Sequence, residues 1–135
     1  MIRRLALALA ATLAPLAATL APLVASAEDM PRQLSPELIR TEHENCKTST
    51  GYGKDFTVFA DVDGDGRKDV ILDYSEALCG GQPDPYCTDQ GCLLKVFSTS
   101  KGGYRKIFDG RVKTWKVDTA SGRSQLLVDG HPLTP

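Results

Sequence analysis

The sequence predicts an α+β or mostly β domain, in which a short N-terminal helix precedes an antiparallel sheet of about six short strands. Three observations lead to this fold class. A helix-start signal occurs early in the chain, and the residues after it alternate between apolar and polar with the period of two typical of strands. Four cysteines lie between positions 46 and 92, which indicates a fold stapled by disulfides.

Residues 1–27 have the pattern of a signal peptide. Arg3-Arg4 precedes an apolar stretch that carries no charge until Glu28, and Ala25-Ser26-Ala27 is a small-x-small cleavage pattern. The stretch also reaches the roughly 20 residues that a membrane anchor needs, but its two prolines and the cleavage pattern favour removal. We therefore expect a secreted or periplasmic protein with no membrane segment after cleavage.

The chain that follows the signal peptide has the length of one domain. We expect residues 28–34 to be a flexible lead-in and residues 35–135 to form a single compact domain. The formal net charge of the whole chain is −1, and removal of two arginines makes it more negative. A mildly acidic domain gives no reason to expect nucleic acid or an anionic membrane as a partner.

All four cysteines lie in the exported part, and an even number in an oxidising compartment indicates disulfides. Three pairings are possible. We favour Cys87–Cys92, which closes a short loop, together with Cys46–Cys79. A zinc site is the alternative, but the two histidines of the chain lie at no zinc-like spacing from the cysteines.

A helix is predicted from Ser35 to about Cys46. Ser35 suits the N-cap and Pro36 the first helical position, and Leu38 and Ile39 would face the core.

Strands are predicted where β-favouring residues alternate or run together between turn residues. The connecting segments 47–54 and 77–91 and the tail from 130 are expected to be irregular, and Asp109-Gly110 is expected to be a turn. The six predicted strands cover residues 56–60, 70–72, 93–97, 104–108, 112–117 and 125–128.

The acidic loop, residues 61–69, carries the chemistry of a hard cation site. Its four aspartates stand at positions 1, 3, 5 and 9, and glycines at positions 4 and 6 permit the backbone to wind tightly. Calcium takes six to eight oxygen ligands at about 2.3–2.6 Å, and alternating carboxylates on a wound loop can converge on one ion. Carboxylates this close repel each other unless a cation lies among them. The predicted ligands are Asp61, Asp63, Asp65, Asp69 and the backbone carbonyl of Arg67, whose side chain would point to solvent.

Two features separate the acidic loop from an EF-hand: position 12 is Leu72 rather than glutamate, and a strand follows rather than a helix. The segment 59–72 resembles the strand–loop–strand calcium loops of FG-GAP (VCBS) repeats. That resemblance implies Ca²⁺ as the cofactor and the same five ligands. The family builds propeller blades from repeated units, whereas this chain carries one copy, so a propeller is not implied. Magnesium and an Asp/Gly-rich turn that binds no ion are the alternatives.

No nucleophile elbow, paired-histidine metal motif or phosphate-binding glycine loop is present in the sequence. His43 and His131 are expected to be solvated. The leading hypothesis is an exported calcium-binding domain that is not an enzyme and whose ion is mainly structural. One alternative is a binding module or inhibitor acting on an envelope enzyme or polysaccharide, with residues 77–92 as the presented loop. Another is a small calcium-dependent hydrolase.

Overall fold

The structure is a computed structural model that describes residues 30–134, so the predicted signal peptide at 1–27 lies outside the described residues. Within this range the chain forms one α-helix, two 3₁₀ helices and ten strands, which confirms the predicted fold class. The helix α1 spans Ser35–Asn45, and the 3₁₀ helices span Arg32–Leu34 and Tyr74–Glu76. The strands are β1 Thr50–Tyr52, β2 Thr57–Ala60, β3 Asp69–Asp73, β4 Ala77–Cys79, β5 Cys87–Thr88, β6 Gly91–Ser100, β7 Gly103–Val112, β8 Trp115–Asp118, β9 Gln125–Val128 and β10 His131–Pro132.

In the described part of the chain the strands form three antiparallel sheets. The central sheet has the order β2-β3-β6-β5, and β7 pairs along the opposite edge of β6. A second sheet has the order β10-β9-β8, and β1 pairs with β4 in a third. Residues 30–134 include no helix long and apolar enough to cross a membrane.

Strand β3 is the centre of the core. Val70, Ile71 and Leu72 are all fully buried, and because successive strand residues point to opposite faces, both faces of the sheet must be covered. Val70 and Leu72 pack in the cluster that includes Leu34, whereas Ile71 packs with Leu126 of β9. The central sheet therefore lies between the helical lead-in on one face and the second sheet on the other.

The start of α1 corrects two predictions. Arg32–Leu34 is already helical and Leu34 is buried, so the lead-in predicted to be flexible over 28–34 is not loose at its end. Consequently Ser35 is the first residue of α1 rather than its N-cap. A third prediction is wrong for Ile39, which was expected to face the core but is 55% exposed, whereas Leu38 packs partly buried against the core. Thr41 is the buried residue of the helix, and its hydroxyl donates a hydrogen bond to a backbone carbonyl one turn earlier.

Five of the six predicted strands are present, whereas the one predicted over 112–117 is divided: Val112 ends β7 and β8 begins at Trp115. The strand content is larger than predicted. Asp109-Gly110 is not a turn, because both residues pair with β6 inside the ten-residue strand β7. The four short strands β1, β4, β5 and β10 lie in segments expected to be irregular, each of which contains glycine or proline. Each of them is held by pairing with a neighbour rather than by its own pattern.

An ion network around one buried lysine attaches α1 to the central sheet. The Lys95 ammonium, on a side chain only 5% exposed, lies 2.8 Å from the Glu37 carboxylate and 3.1 Å from that of Asp109. Lys106 contacts the same two carboxylates at 3.0 and 2.7 Å. The lysine stems cross the sheet surface while their charges are paired, which is the arrangement a buried lysine requires.

Both disulfides in the structure have the pairing favoured from the sequence. Cys46–Cys79 joins the end of α1 to β4 across 33 residues, and Cys87–Cys92 joins β5 to β6. In the chain-entropy view a loop as long as the first is worth about 3–4 kcal/mol of stability, chiefly through the unfolded state. Disulfides fit an oxidising compartment.

Candidate functional site: the acidic loop

The acidic loop connects β2 to β3, which pair antiparallel from Thr57↔Leu72 to Ala60↔Asp69. Gly64 and Gly66 have positive φ angles of 76° and 85°, a region that side-chain-bearing residues rarely adopt. The backbone therefore adopts, at both positions, the conformation for which the sequence analysis predicted glycine. The loop stands at one end of the buried strand β3, where the core fixes its position.

The structure brings three of the predicted ligands together. One carboxylate oxygen from each of Asp61, Asp63 and Asp65 lies within 4.8 Å of the other two. Oxygens on a common calcium shell of radius about 2.3–2.6 Å are at most about 5 Å apart. The spacing of the three carboxylates therefore fits a single calcium ion.

Backbone N–H groups of the loop hold these carboxylates in place. Asp61 accepts from Gly64 N at 2.7 Å and from Gly66 N at 2.9 Å, one bond to each of its oxygens. Asp63 accepts from the backbone of Asp65 at 3.1 Å. Each carboxylate oxygen has two lone pairs, so an oxygen that accepts one N–H can still face an ion.

Asp69 has a different role from the other three aspartates. It is fully buried, and its two oxygens accept from Val62 N at 2.9 Å and from Thr99 N at 2.7 Å. Burial raises the pKa of Asp69, and the two backbone N–H groups oppose that rise. Asp69 therefore anchors both ends of the loop to β6 and lies outside the three-carboxylate cluster.

Arg67 differs from its predicted orientation. Its side chain does not simply extend into solvent, because its guanidinium donates from Nε and Nη2 to one Asp65 oxygen at 2.9 and 2.7 Å. The Arg67 backbone N–H donates to the other Asp65 oxygen at 2.8 Å. The side-chain and backbone bonds from Arg67 hold the pKa of Asp65 below its ordinary value. Part of the carboxylate repulsion in the loop is thus relieved within the loop itself.

Residues distant in sequence complete the site. Ser98 of β6, which is 6% exposed, donates from Oγ to Asp63 Oδ2 at 3.0 Å, and Thr99 donates from Oγ1 to the Lys68 carbonyl at 2.6 Å. These residues carry no local signal in the sequence. Only the pairing of β6 beside β3 brings them to the loop.

The second sheet also contacts the loop through the turn between β8 and β9. Ser124 Oγ donates to the Asp61 carbonyl at 2.6 Å, and Arg123 Nη2 donates to the Asp63 carbonyl at 3.2 Å. The Arg123 side chain lies against Gly64, since a Cβ added to that glycine would be 2.3 Å from Arg123 Nε. The acidic loop is therefore held by three elements: its own hairpin, β6 and the β8–β9 turn.

The segment 77–92 is not a free presented loop. Tyr86 is fully buried in the core, its hydroxyl is 2.7 Å from Thr50 Oγ1, and Arg111 donates to the carbonyls of Pro85 and Tyr86 at 2.8 and 2.6 Å. Together with two disulfides, these bonds fasten the segment to the body of the domain. A partner would meet a rigid surface there.

Comparison of the chain with protein-family models, with curated proteins and with solved structures finds no match in any of the three. The resemblance of segment 59–72 to FG-GAP loops therefore rests on its own residues. What the geometry offers chemically is a cluster of three preoriented carboxylates, which suits a hard cation rather than a soft one.

Proposed function

We propose that this protein is an exported calcium-binding domain without catalytic activity, in which one Ca²⁺ in the acidic loop is mainly structural. The convergence of oxygens from Asp61, Asp63 and Asp65 to within 4.8 Å of one another carries the proposal. Calcium accepts a flexible shell of carboxylate and carbonyl oxygens, whereas magnesium demands a near-ideal octahedron and keeps its water.

The preorientation of the ligands supports the proposal. The loop N–H groups and Ser98 Oγ fix the carboxylates before an ion arrives, so little ordering is left for the binding step. The Arg67 carbonyl, at position 7, supplies the backbone oxygen. Asp69 contributes by anchoring the loop to β6, and any direct contact to the ion would come from its remaining lone pairs.

The connections of the loop explain why the ion would be structural. The loop is bonded to β6 through Ser98 and Thr99 and to the second sheet through Arg123 and Ser124. An ion that holds the loop in one conformation would therefore strengthen the attachment of the second sheet to the central sheet. The two disulfides and the predicted signal peptide support export to a compartment where calcium reaches millimolar concentration.

His43 and His131 are both exposed, as the sequence predicts.

A melting experiment tests the proposal. With an affinity typical of extracellular modules, about 10⁻⁴ to 10⁻³ M, a few millimolar calcium should stabilise the fold by about 1–2 kcal/mol. For a domain of this size that gain raises the melting temperature by roughly 4–16 °C. The double variant Asp63→Ala, Asp65→Ala should lose the rise.

The matched control removes two exposed aspartates outside the loop, Asp55→Ala and Asp89→Ala, and should keep the full response to calcium. An unchanged melting temperature in the unmodified protein at millimolar calcium would rule the proposal out.

A further inference from the structure

A groove of about 280 Å³ opens between the acidic loop and the second sheet. This volume is just below the roughly 300–1,000 Å³ of sites for drug-sized ligands, so it suits one small unit such as a single sugar ring. The residues that matter for its chemistry are Val62, Asp63, Arg123, Gln125, Leu133 and Thr134.

Arg123 gives the groove a strong donor. Its guanidinium has five N–H groups in a fixed fork, and in the described residues its side chain makes one hydrogen bond, from Nη2 to the Asp63 carbonyl at 3.2 Å. The remaining N–H groups can meet a planar carboxylate, the partner that a guanidinium binds best. The side chains of Gln125 and Thr134 make no hydrogen bond within residues 30–134 and add neutral donors and acceptors to the lining of the groove.

Whether an anion can enter depends on the charge of the acidic loop. Its four aspartates and two basic residues, Arg67 and Lys68, give it a formal charge of −2. That charge opposes an incoming carboxylate at the Asp63 side of the groove. One bound Ca²⁺ makes the loop neutral, and Arg123 then leaves the groove locally positive.

We propose that this groove binds the carboxylate of an acidic sugar residue, and that it does so only when the acidic loop holds calcium. The inference rests on the proposed function, since it requires the loaded loop. The sugar carboxylate pairs with the Arg123 guanidinium, and the ring hydroxyls face Gln125 and Thr134. Leu133 supplies apolar surface for the carbon face of the ring.

The shape and lining of the groove favour a sugar over an acidic peptide. Extended peptides bind along strand edges or long grooves, where main-chain hydrogen bonds supply affinity. Here the volume is that of one small unit, and hydroxyl and amide side chains line the groove together with a single guanidinium. A ring bearing several hydroxyls and one carboxylate matches that set of groups.

Calorimetric titration of the purified, chelator-treated protein tests the proposal. Calcium is titrated first. Trigalacturonic acid, maltotriose as a neutral match, and triglutamate as an acidic peptide are then each titrated with saturating calcium and with chelator. We expect trigalacturonic acid alone to bind, and only with calcium. Arg123→Gln should weaken its binding about tenfold or more, because a charged bidentate contact is lost, and Thr134→Ala should weaken it less.

The matched control is Arg105→Gln, which changes an exposed arginine of β7 outside the groove and should leave sugar binding unchanged. Circular dichroism checks that each variant is folded and calcium titration checks that its loop is loaded. Calcium uptake without sugar binding would overturn the groove proposal and leave the proposed function intact, whereas absence of calcium uptake would overturn the proposed function itself. Sugar binding in chelator, or binding of triglutamate in its place, would also overturn the groove proposal.

Discussion

Two aspartates of the acidic loop occupy opposite environments. Asp69 is fully buried and both of its oxygens accept backbone N–H groups, from Val62 and Thr99. Asp65 is exposed, and its partners are the backbone and side chain of the neighbouring Arg67. The same residue type therefore anchors the loop at one position and offers an oxygen for an ion at the other.

This difference predicts that removing the two charges has effects of different size on the free energy of unfolding. In chelator, Asp69→Asn should lower the free energy of unfolding by about 1–3 kcal/mol, because its amide nitrogen cannot accept one of the two buried N–H groups. Asp65→Asn should change it by less than about 0.5 kcal/mol, as is usual for exposed sites. Urea unfolding measures both values. Equal losses for the two variants in chelator would contradict the anchoring role of Asp69.

In calcium, Asp65→Asn should lose part of the calcium-dependent stabilisation, since a carboxylate ligand becomes a neutral amide. The unmodified protein, unfolded in the same two buffers, is the reference.

At this scale the sequence locates the loop but not the role of each aspartate. The alternation of aspartate and glycine is a local pattern, so the position of the loop can be predicted from the sequence. The partner of Asp69 is Thr99, thirty residues away, and the anchoring role exists only because β6 pairs with β3. The side-chain pairing of Arg67 was missed because position alone does not show which neighbour a long side chain selects.

At the scale of secondary-structure elements, the β8–β9 turn contacts the acidic loop at Gly64, where the missing side chain leaves space for Arg123. Gly64 and Gly66 both have positive φ, but only Gly64 has a close neighbour, Arg123, at the place where a Cβ would stand. Comparing the two glycines separates the cost of the backbone conformation from the cost of the contact.

Gly66→Ala should lower the free energy of unfolding by about 1–2 kcal/mol, the cost of the left-handed region for alanine. Gly64→Ala should cost more, because the Arg123 side chain must also move. Chemical denaturation of both variants, repeated in an Arg123→Ala background, measures the difference. In that background the two glycine substitutions should become equal, and an undiminished excess at Gly64 would show that Arg123 is not its cause.

The contact between α1 and the central sheet includes, beside apolar packing, the ion network of Glu37, which should respond to acid. Burial alone would raise the pKa of Glu37, but its bonds to Lys95 and Lys106 outweigh burial and hold that pKa below its ordinary value. A lowered pKa in the folded state means that the stabilisation is present above the unfolded value, about 4.3, and is lost as the pH falls through the folded value.

We therefore expect the melting temperature to fall as the pH is lowered from about 5 to 3, in part through Glu37. Glu37→Gln should melt lower at pH 6 and show a flatter acid dependence. Glu44→Gln, which changes an exposed residue of the same helix, should keep the unmodified slope. Parallel pH profiles for Glu37→Gln and the unmodified protein would contradict the network's role.

The elements themselves were predictable to the extent that their patterns are local. The strongly β-favouring run at 70–72 became β3, and the helix was found from its proline start. The short strands β1, β4, β5 and β10 were missed because pairing partners, not their own residues, make them strands. The supposed turn at 109–110 is continuous strand because β6 supplies partners for both residues.

For the whole molecule, the acidic loop connects the layers of the fold. The second sheet packs on the central sheet through Leu126 and Ile71, and its first turn is bonded to the loop carbonyls of Asp61 and Asp63. An ion in the loop would therefore act on the whole domain and not only on one turn. The sequence predicted the fold class and the two disulfides, but it predicted one sheet where the described residues form three.

The central claim is that the acidic loop binds one calcium ion. Isothermal titration calorimetry, with calcium titrated into the chelator-treated protein, tests it directly. We predict saturable uptake of one Ca²⁺ per chain with a dissociation constant of about 10⁻⁴ to 10⁻³ M, and weaker uptake of Mg²⁺. The Asp63→Ala, Asp65→Ala variant should take up none. A folded, metal-free protein that shows no saturable heat with calcium up to several millimolar, several times the weaker limit of about 10⁻³ M, would contradict the assignment of the acidic loop as a calcium site.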